Sequence, residues 1–377
     1  MSLDRYRAEF ELDPDLIYLN HAAVAPWPRR TREAVCAFAA QNAHQGSAHY
    51  PDWLGTEARL RARGARLMGV AAGDLSLVKS TSEGLSMVAW GLSWRAGDEV
   101  LVPAGEFPSN RVVWESLRSE GVRVREVELG ADAGAAAQLM AAMGPRTRLL
   151  SVSGVQYATG LRLDLEALGA ACRARDILFC VDAIQWLGAL PFDNRRIGAD
   201  FIVADGHKWM LGPEGLALFY CRPELRPRLR LFEFGWHMLE HAHDFERRDW
   251  RPAPDGRRFE CGSPNMLGIH GLEASLSLLE EAGMEAVGAA VLARSEYLVE
   301  GASRLRGVRV LTPRPRAARA GIVTVALERT PPEEVFRRLA AAGVQAALRG
   351  GGIRFSPHFH TPVSQLDTVL ALLARWA

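Results

Sequence analysis

The sequence has no long apolar run and almost no net charge, and each absence excludes a class of protein. No segment of its 377 residues approaches the roughly 20 apolar residues that cross a bilayer. The first residues carry acids and lack the apolar stretch of a signal peptide, which predicts a cytoplasmic protein. A formal net charge of +1 gives no electrostatic reason to expect nucleic acid or an anionic membrane as a partner.

Cysteine is also scarce, and its positions are scattered along the chain. The five cysteines are Cys36, Cys172, Cys180, Cys221 and Cys261. Because no CxxC pair occurs among them, we expect neither a metal site nor a disulfide framework. This usage is typical of a reducing compartment such as the cytosol.

The composition is otherwise that of an ordinary globular protein, with 48% hydrophobic and 24% charged residues. A chain of this length suits one large domain and a smaller one. From about residue 70 to residue 220, short apolar runs alternate with stretches of helical periodicity. This alternation predicts an α/β fold, in which a parallel sheet lies between helices and ligands bind at the carboxyl ends of the strands.

Two of the apolar runs deliver a carboxylate and a lysine. The first, residues 177–182, ends at Asp182, and the second, residues 199–204, opens into Asp205-Gly206-His207-Lys208. These are the two groups that pyridoxal phosphate (PLP) requires from a protein: an acid beside the pyridine nitrogen and an amine that holds the aldehyde. Taken singly, Asp182 could be a helix cap and Lys208 a surface lysine, but their pairing favours the cofactor site.

The motifs around these residues resemble a known family. Residues 181–185 (VDAIQ) and 206–215 (GHKWMLGPEG) are similar to fold-type I PLP enzymes of aminotransferase class V, which include cysteine desulfurases, kynureninases and isopenicillin N epimerase-like proteins. The resemblance covers nearly the whole chain. It implies an N-terminal arm (1–20), a large PLP-binding domain (21–265), and connecting helices with a smaller C-terminal α/β domain (266–377).

The resemblance also implies roles for four residues of the two motifs. Lys208 would form the Schiff base, and Asp182 would be the partner of the pyridinium nitrogen. Gln185 would donate to the phenolic oxygen of the ring, and His207 would lie on the phosphate side. Asp205 stands where relatives often have serine, and an acid near the phosphate is unfavourable unless it is paired, for example with His207.

The resemblance implies four further cofactor contacts, made by Thr81, Ser82, Phe107 and Ser263. Hydroxyl groups at a helix N-terminus make an anion site, and a simple N-cap over residues 80–83 is the commoner alternative. The phosphate site is favoured because Thr81 and Ser82 match the two adjacent hydroxyl residues of the family's phosphate-binding turn. Phe107 would stack on the ring, with a role in the core as the alternative. Ser263 would reach the phosphate of a neighbouring subunit, which implies a homodimer with shared sites, while a plain Ser-Pro turn remains the alternative.

Four residues are implied in binding an amino acid substrate. Arg349 would hold the α-carboxylate, a role suited to a bidentate guanidinium. Arg354 would be a second anion contact or a solvated strand residue. Asn20 and His21 belong to the arm that lies over the active-site entrance in the family, although His21 could also be an ordinary capping or surface residue.

The departures from the family bear on the reaction. Desulfurases need a thiol shortly after the carboxylate-binding arginine, but Arg354 stands at that place and no cysteine follows Cys261. The remaining chemistry starts with an internal aldimine at Lys208 and proceeds through a quinonoid, with Lys208 as the base. Transamination, epimerisation and β-elimination from a cysteine-type substrate stay open. Gly154 and Tyr157 also depart from the family pattern and leave the ring-oxygen contact open.

Two functions outside this class are alternatives. An NAD-dependent oxidoreductase is disfavoured because no G-x-G-x-x-G follows the first strand. A PLP-fold protein that binds a ligand without catalysis is disfavoured because the implied site residues are intact. The sequence therefore predicts a PLP-dependent enzyme that acts on a small amino acid.

Overall fold

The computed structural model describes residues 3–130 and 134–377. Its helices, numbered in chain order, are α1 Arg29–Gln45, α2 Tyr50–Met68, α3 Thr81–Gly91, α4 Pro108–Glu115, α5 Ala135–Ala142, α6 Leu165–Arg173, α7 Asn194–Ile197, α8 Met266–Ala282, α9 Met284–Ser303, α10 Pro332–Ala341 and α11 Val363–Trp376. Its strands are β1 Ile17–Tyr18, β2 Leu75–Val78, β3 Glu99–Pro103, β4 Arg123–Val127, β5 Thr147–Ser153, β6 Leu178–Asp182, β7 Phe201–Asp205, β8 Ala217–Cys221, β9 Val308–Val310, β10 Val323–Leu327, β11 Val344–Gln345, β12 Ala347–Arg349 and β13 Gly352–Phe355.

A seven-stranded sheet forms the centre of the molecule, in the order β2-β8-β7-β6-β5-β3-β4. Strand β8 runs antiparallel to both neighbours, and the other adjacent pairs are parallel. This arrangement confirms the predicted α/β fold. The carboxyl ends of β5, β6 and β7 are neighbours, since Ser153 pairs with Asp182 and Asp182 with Val203.

Alternating side chains of the sheet pack into two separate hydrophobic clusters. On β6 and β7, Val181 and Ile202 belong to one cluster, while Cys180 and Val203 belong to the other. Helices α2, α6 and α8 contribute to the first cluster, and α3 and α4 to the second. Because both faces are covered in this way, the central strands β6 and β7 are apolar up to the aspartates that end them, as buried parallel strands require.

The C-terminal part has its own sheet and core. Strands β12-β13-β10-β9 form an antiparallel sheet, which packs with α9, α10 and α11 around a third hydrophobic cluster. The N-terminal arm joins this part, because β1 pairs with β11. Helix α5 begins at Ala135, and residues 131–133 lie outside the described residues. The domain boundaries near residues 20 and 265 stay a prediction.

A buried ion cluster fastens the irregular segment before α8 to the large part of the molecule. Arg61 of α2 donates to Glu57 at 2.6 Å and to both carboxylate oxygens of Glu260 at 2.6 and 2.7 Å. Glu260 also accepts from the Leu77 N–H at 2.9 Å.

None of the helices in the described ranges is long and apolar enough to cross a membrane.

Replacement of Arg61 by methionine should lower the free energy of unfolding by about 3 kcal/mol, because two buried carboxylates would lose their cation. The urea midpoint, followed by fluorescence, measures this change. Arg59→Met is the matched control, since Arg59 is exposed and pairs with Glu273 at 3.5 Å. We expect that control to cost less than about 1 kcal/mol. Equal effects of the two variants would contradict a stabilising role of the buried cluster.

Candidate active site

Asp182 lies at the carboxyl end of β6 and is 3% exposed. Asn110 Nδ2 donates to Asp182 Oδ2 at 2.6 Å, and the Ile184 N–H donates to Oδ1 at 2.9 Å. Burial raises the pKa of Asp182, while these donors and the positive charge of Lys208 oppose that rise. The sheet therefore presents a carboxylate whose geometry is fixed from two sides.

Lys208 follows the neighbouring strand β7 and lies close enough to Asp182 for the two charges to interact. Desolvation of the amine lowers the pKa of Lys208 to about 8, the carboxylate of Asp182 opposes this change, and Arg354 adds to it. The sequence contains only one other lysine, Lys79, which is exposed and pairs with Glu83 at 2.8 Å. Only Lys208 thus combines a shielded amine with a strand-end position.

We expect this lowered pKa to govern how fast the protein takes up PLP. Only the neutral amine attacks an aldehyde, and burial disfavours the charged ammonium, so the neutral form of Lys208 appears at lower pH than for an ordinary lysine. The rate of covalent PLP attachment to the apoprotein should therefore rise to about pH 8 and level off above it. Stopped-flow absorbance between pH 6 and 10 measures this rate.

A free lysine derivative treated in the same way corrects for the titration of PLP itself. Its attachment rate should continue to rise towards pH 10, because the ordinary pKa of lysine is about 10.4. A protein rate that follows the free amine would show that Lys208 is not shielded.

The N-terminus of α3 lies at the same edge of the sheet. Ser80 caps this helix by accepting from the Glu83 N–H at 3.2 Å, as the capping alternative predicts. Thr81 Oγ1 accepts from the Asp205 N–H at 3.1 Å, which links the helix to the end of β7. Ser82 is exposed on the first turn, and its hydroxyl lies 2.8 Å from that of Ser109. The capping role and an anion site are compatible, since different residues provide them.

Asp205 is buried at the end of β7, and the structure pairs it with His207 as expected. The distance between Asp205 Oδ1 and His207 Nδ1 is 2.8 Å, although the ring is not aligned for a linear hydrogen bond. The close contact places the imidazole beside the carboxylate, on the side where a phosphate is predicted.

Gln185 is buried three positions after the end of β6, and both the nitrogen and the oxygen of its amide form hydrogen bonds. Its Nε2 donates to the Ala22 carbonyl at 3.0 Å, and its Oε1 accepts from the Trp209 indole at 2.8 Å. One amide hydrogen of Gln185 Nε2 remains for the predicted contact with the ring oxygen. Trp209 thereby fixes the orientation of the amide.

Phe107 precedes α4 and is 41% exposed, so the alternative that it belongs to the core is wrong. The Lys208 amine lies 5.7 Å from the centre of its ring. The ring of Tyr157 meets it edge to face, with centroids 5.2 Å apart. An exposed aromatic face beside Lys208 is the position that a stacking residue requires.

Arg354 lies on β13 and is 2% exposed, which rules out a solvated strand residue. Its Nη1 donates to the Tyr157 carbonyl at 2.9 Å, and its Nη2 lies 3.4 Å from Asn20 Oδ1. Its Nε has no hydrogen-bond partner, and no carboxylate of the described residues pairs with it. Burial lowers the pKa of Arg354 to about 10. A buried guanidinium without a counter-ion is a ready site for an anion.

Arg349 ends β12 and is exposed. Its Nη1 donates only to the neighbouring Leu348 carbonyl, at 2.8 Å. Arg349 nevertheless lies near enough to lower the pKa of Lys208, after the larger effect of Arg354. Both arginines thus lie near the amine, but only Arg354 is held in place by neighbouring groups.

His21 is fully buried, so it is not a surface residue. Its Nδ1 lies 2.9 Å from the Ser356 carbonyl and its Nε2 lies 3.1 Å from His360 Nε2, so both nitrogens are engaged within the protein. Burial lowers the pKa of His21 to about 4. Asn20, by contrast, reaches Arg354. The arm therefore connects to the site through Asn20, while His21 ties it to the C-terminal part.

Ser263 lies in the loop before α8, beside Lys79 and Glu83 in a cavity of about 200 Å³. The hydrogen bond at the start of α8 comes from Asn265, which accepts from the Gly268 N–H at 3.0 Å. The contact of Ser263 with the phosphate of a neighbouring subunit stays a prediction.

Three polar residues near Asp182 were missed by the sequence analysis: Glu106, Asn110 and Ser153. Ser153 ends β5, and Glu106 accepts from its backbone N–H at 2.6 Å and from its hydroxyl. Asn110 lies on α4, three positions after Phe107 at the N-cap, and this spacing places both on one side of the helix start. The spacing of three residues from Phe107 could have identified Asn110 as a site residue from the sequence.

The residues gathered at these strand ends fit PLP: Lys208 for the aldehyde, Asp182 for the ring nitrogen, Phe107 for the ring face and the start of α3 for the phosphate. This fold and site define a PLP-dependent enzyme of fold type I. The chain belongs to the aminotransferase class-V family, whose model matches residues 17–361.

Its similarity to relatives extends over most of the chain. It is 31% identical to a probable cysteine desulfurase of Methanothermobacter thermautotrophicus, over 82% of this chain and 78% of the relative. It is also 31% identical to isopenicillin N epimerase of Streptomyces clavuligerus, over 96% of this chain and 95% of the relative.

Solved structures give the same fold. A mutant of C-DES with glycine covalently linked to the PLP cofactor has a TM-score of 0.90, 26% identity and coverage of 98% of both chains. A complex of the cystine C-S lyase C-DES with cysteine persulfide has a TM-score of 0.88, 26% identity and coverage of 96% of this chain and 98% of the other. PLP is therefore the cofactor of this enzyme.

Proposed function

We propose that the enzyme removes the α-proton of an amino acid and that transamination or epimerisation follows. PLP, when bound, withdraws electrons from the α-carbon and makes its proton acidic. The observation that carries the proposal is the buried, unpaired guanidinium of Arg354, which lies near the shielded amine of Lys208. One group would hold the substrate carboxylate, and the other would accept the proton.

The residues divide this work by position. Arg354, supported by Asn20 and the Tyr157 carbonyl, would bind the carboxylate and so fix which bond of the α-carbon faces Lys208. With a pKa of about 8, Lys208 is partly neutral near pH 7 and can take the proton onto Nζ. Return of a proton to the α-carbon on the other face would give the epimer. Bound PLP would supply the alternative by accepting the amino group, and hydrolysis by water would then release a keto acid.

The cysteines argue against a desulfurase that forms an enzyme persulfide. Cys172, Cys180 and Cys221 are buried, and burial raises the pKa of all three thiols. Cys261 lies 3.7 Å from a carboxylate oxygen of Glu233, and its pKa is also raised. Such thiols are poor nucleophiles. Cys36 is exposed on α1.

β-Elimination from a cysteine-type substrate is the second candidate. It needs the same carboxylate contact and the same base but no thiol of the enzyme, which agrees with the positions of the cysteines. The likeness to the cystine C-S lyase C-DES supports it.

We further propose a homodimer in which Ser263 contacts the phosphate of the partner site.

The deciding experiment is product analysis with the holoenzyme. Alanine, cysteine, cystine and kynurenine would be added in turn while the visible spectrum is recorded, and products would be identified by chiral chromatography and mass spectrometry. A D-isomer or a keto acid is the expected result. Pyruvate together with a released thiol or persulfide would select the lyase. A spectrum that no amino acid changes would overturn the proposed function.

A further inference from the structure

Glu106 is a buried carboxylate that the proposed reaction does not use. It lies between β3 and α4 and is 9% exposed. The other buried glutamates, Glu9, Glu57, Glu99 and Glu260, each pair with an arginine. Glu106 forms no ion pair with any described lysine or arginine, and its hydrogen-bond donors are the N–H and the hydroxyl of Ser153 and the Phe107 N–H.

A series of contacts leads from Glu106 to Asp182. The Ser153 hydroxyl, which donates to Glu106, lies 3.5 Å from Asn110 Nδ2. The same Nδ2 donates to Asp182 Oδ2 at 2.6 Å. The Ser151 hydroxyl lies 3.5 Å from Asn110 Oδ1, which favours the amide orientation that directs its nitrogen towards Asp182.

The electrostatics agree with this geometry. Burial raises the pKa of Glu106 to about 7, Asp182 contributes to the rise, and the donors from Ser153 and the Phe107 N–H oppose it. Among the charged groups that act on Asp182, Lys208 attracts it and Asp205 repels it. Because Asp182 acts on Glu106, the two carboxylates are coupled, and a negative charge on Glu106 stabilises a proton held near Asp182.

We propose that Glu106 is a positioning residue for Asp182, which it orients through Ser153 and Asn110 and whose negative potential it reinforces when ionised. This inference rests on the proposed contact of Asp182 with the ring nitrogen. Glu106 does not touch the reacting atoms. Its effect would be to keep protons on the bound cofactor to higher pH.

The test is a spectrophotometric pH titration of the holoenzyme and of Glu106→Gln, which keeps the size of the side chain but removes its charge. We expect the midpoint of the absorbance change to fall by about half a pH unit or more, because a nearby negative charge is lost. Glu106→Asp, which keeps the charge, should restore most of the shift. A merely structural role would lower stability without moving the midpoint.

Glu99→Gln is the matched control, since Glu99 is buried at the opposite end of β3 and pairs with Arg125. Its midpoint should equal that of the wild type. If Glu106→Gln does not fold, Ser153→Ala serves instead. Loss of that hydroxyl keeps Glu106 protonated to higher pH, so the midpoint should again fall.

An unchanged midpoint in Glu106→Gln, or in Ser153→Ala where that variant is needed, would overturn the inference. Asp182→Asn separates this failure from a failure of the proposed site. If Asp182→Asn moves the midpoint while Glu106→Gln does not, only the inference about Glu106 is wrong. If neither moves it, the proposed role of Asp182 is wrong as well.

Discussion

The Lys208→Ala enzyme is expected to lose turnover by about 10⁴-fold or more, because it lacks both the amine that holds the cofactor and the proposed base. PLP should still bind through the contacts of Asp182 and the start of α3, but without a covalent bond. Borohydride reduction followed by mass spectrometry measures the attachment. The wild type should carry one modified residue, Lys208, and the variant none.

Lys79→Ala is the matched control, because it removes the other of the two lysines in the chain. Lys79 is exposed, with 74% of its side-chain surface accessible, and pairs with Glu83. The variant should keep the turnover and the labelling of the wild type. Normal turnover by Lys208→Ala, or a label found on Lys79, would refute the assignment of the lysine.

The Arg354→Gln enzyme is expected to lose about 10³-fold in kcat/KM, mostly through a higher KM. Truncation of one partner of a buried ion pair costs about 2–5 kcal/mol, and the substrate carboxylate would lose its partner in a shielded place. The affinity for PLP should change little. Steady-state kinetics and a PLP titration of the apoprotein measure the two quantities separately.

Arg349→Ala provides the comparison between the two predicted carboxylate contacts. It should also raise KM, but by less than about tenfold, because Arg349 is exposed and its interactions are screened by solvent. Arg309→Gln, exposed on β9 of the same sheet, should have no effect. A larger effect of Arg349→Ala than of Arg354→Gln would place the carboxylate at the β12–β13 turn instead.

The strands show how far the chain could be predicted from its sequence. The runs that end in Asp182 and in Asp205 were predicted as buried strands, and both are observed in the central sheet as neighbours. Continuous apolar runs are a local signal, and they identify strands that are covered on both faces. The antiparallel direction of β8 and the hairpin of β12 and β13 were not predicted, since strand pairing depends on residues far apart in the sequence.

Burial shows where prediction from the sequence stops. The sequence left Arg354 between an anion contact and a solvated residue, and His21 between a substrate contact and a surface residue. The structure buries both, because the N-terminal arm and β13 pack against each other through Ser356. Local sequence does not indicate which distant segment will cover a side chain.

The sequence by itself determined the fold class, the cofactor and the pair of Lys208 with Asp182, because short apolar runs deliver polar residues to one edge of a parallel sheet. Only the tertiary structure decided the surroundings of that pair. Asn110 meets Asp182, and Glu106 meets Ser153, across 72 and 47 positions of the chain. Desolvation and charge act through distances in space, so the pKa values and the anion site of Arg354 became visible only once the chain was folded.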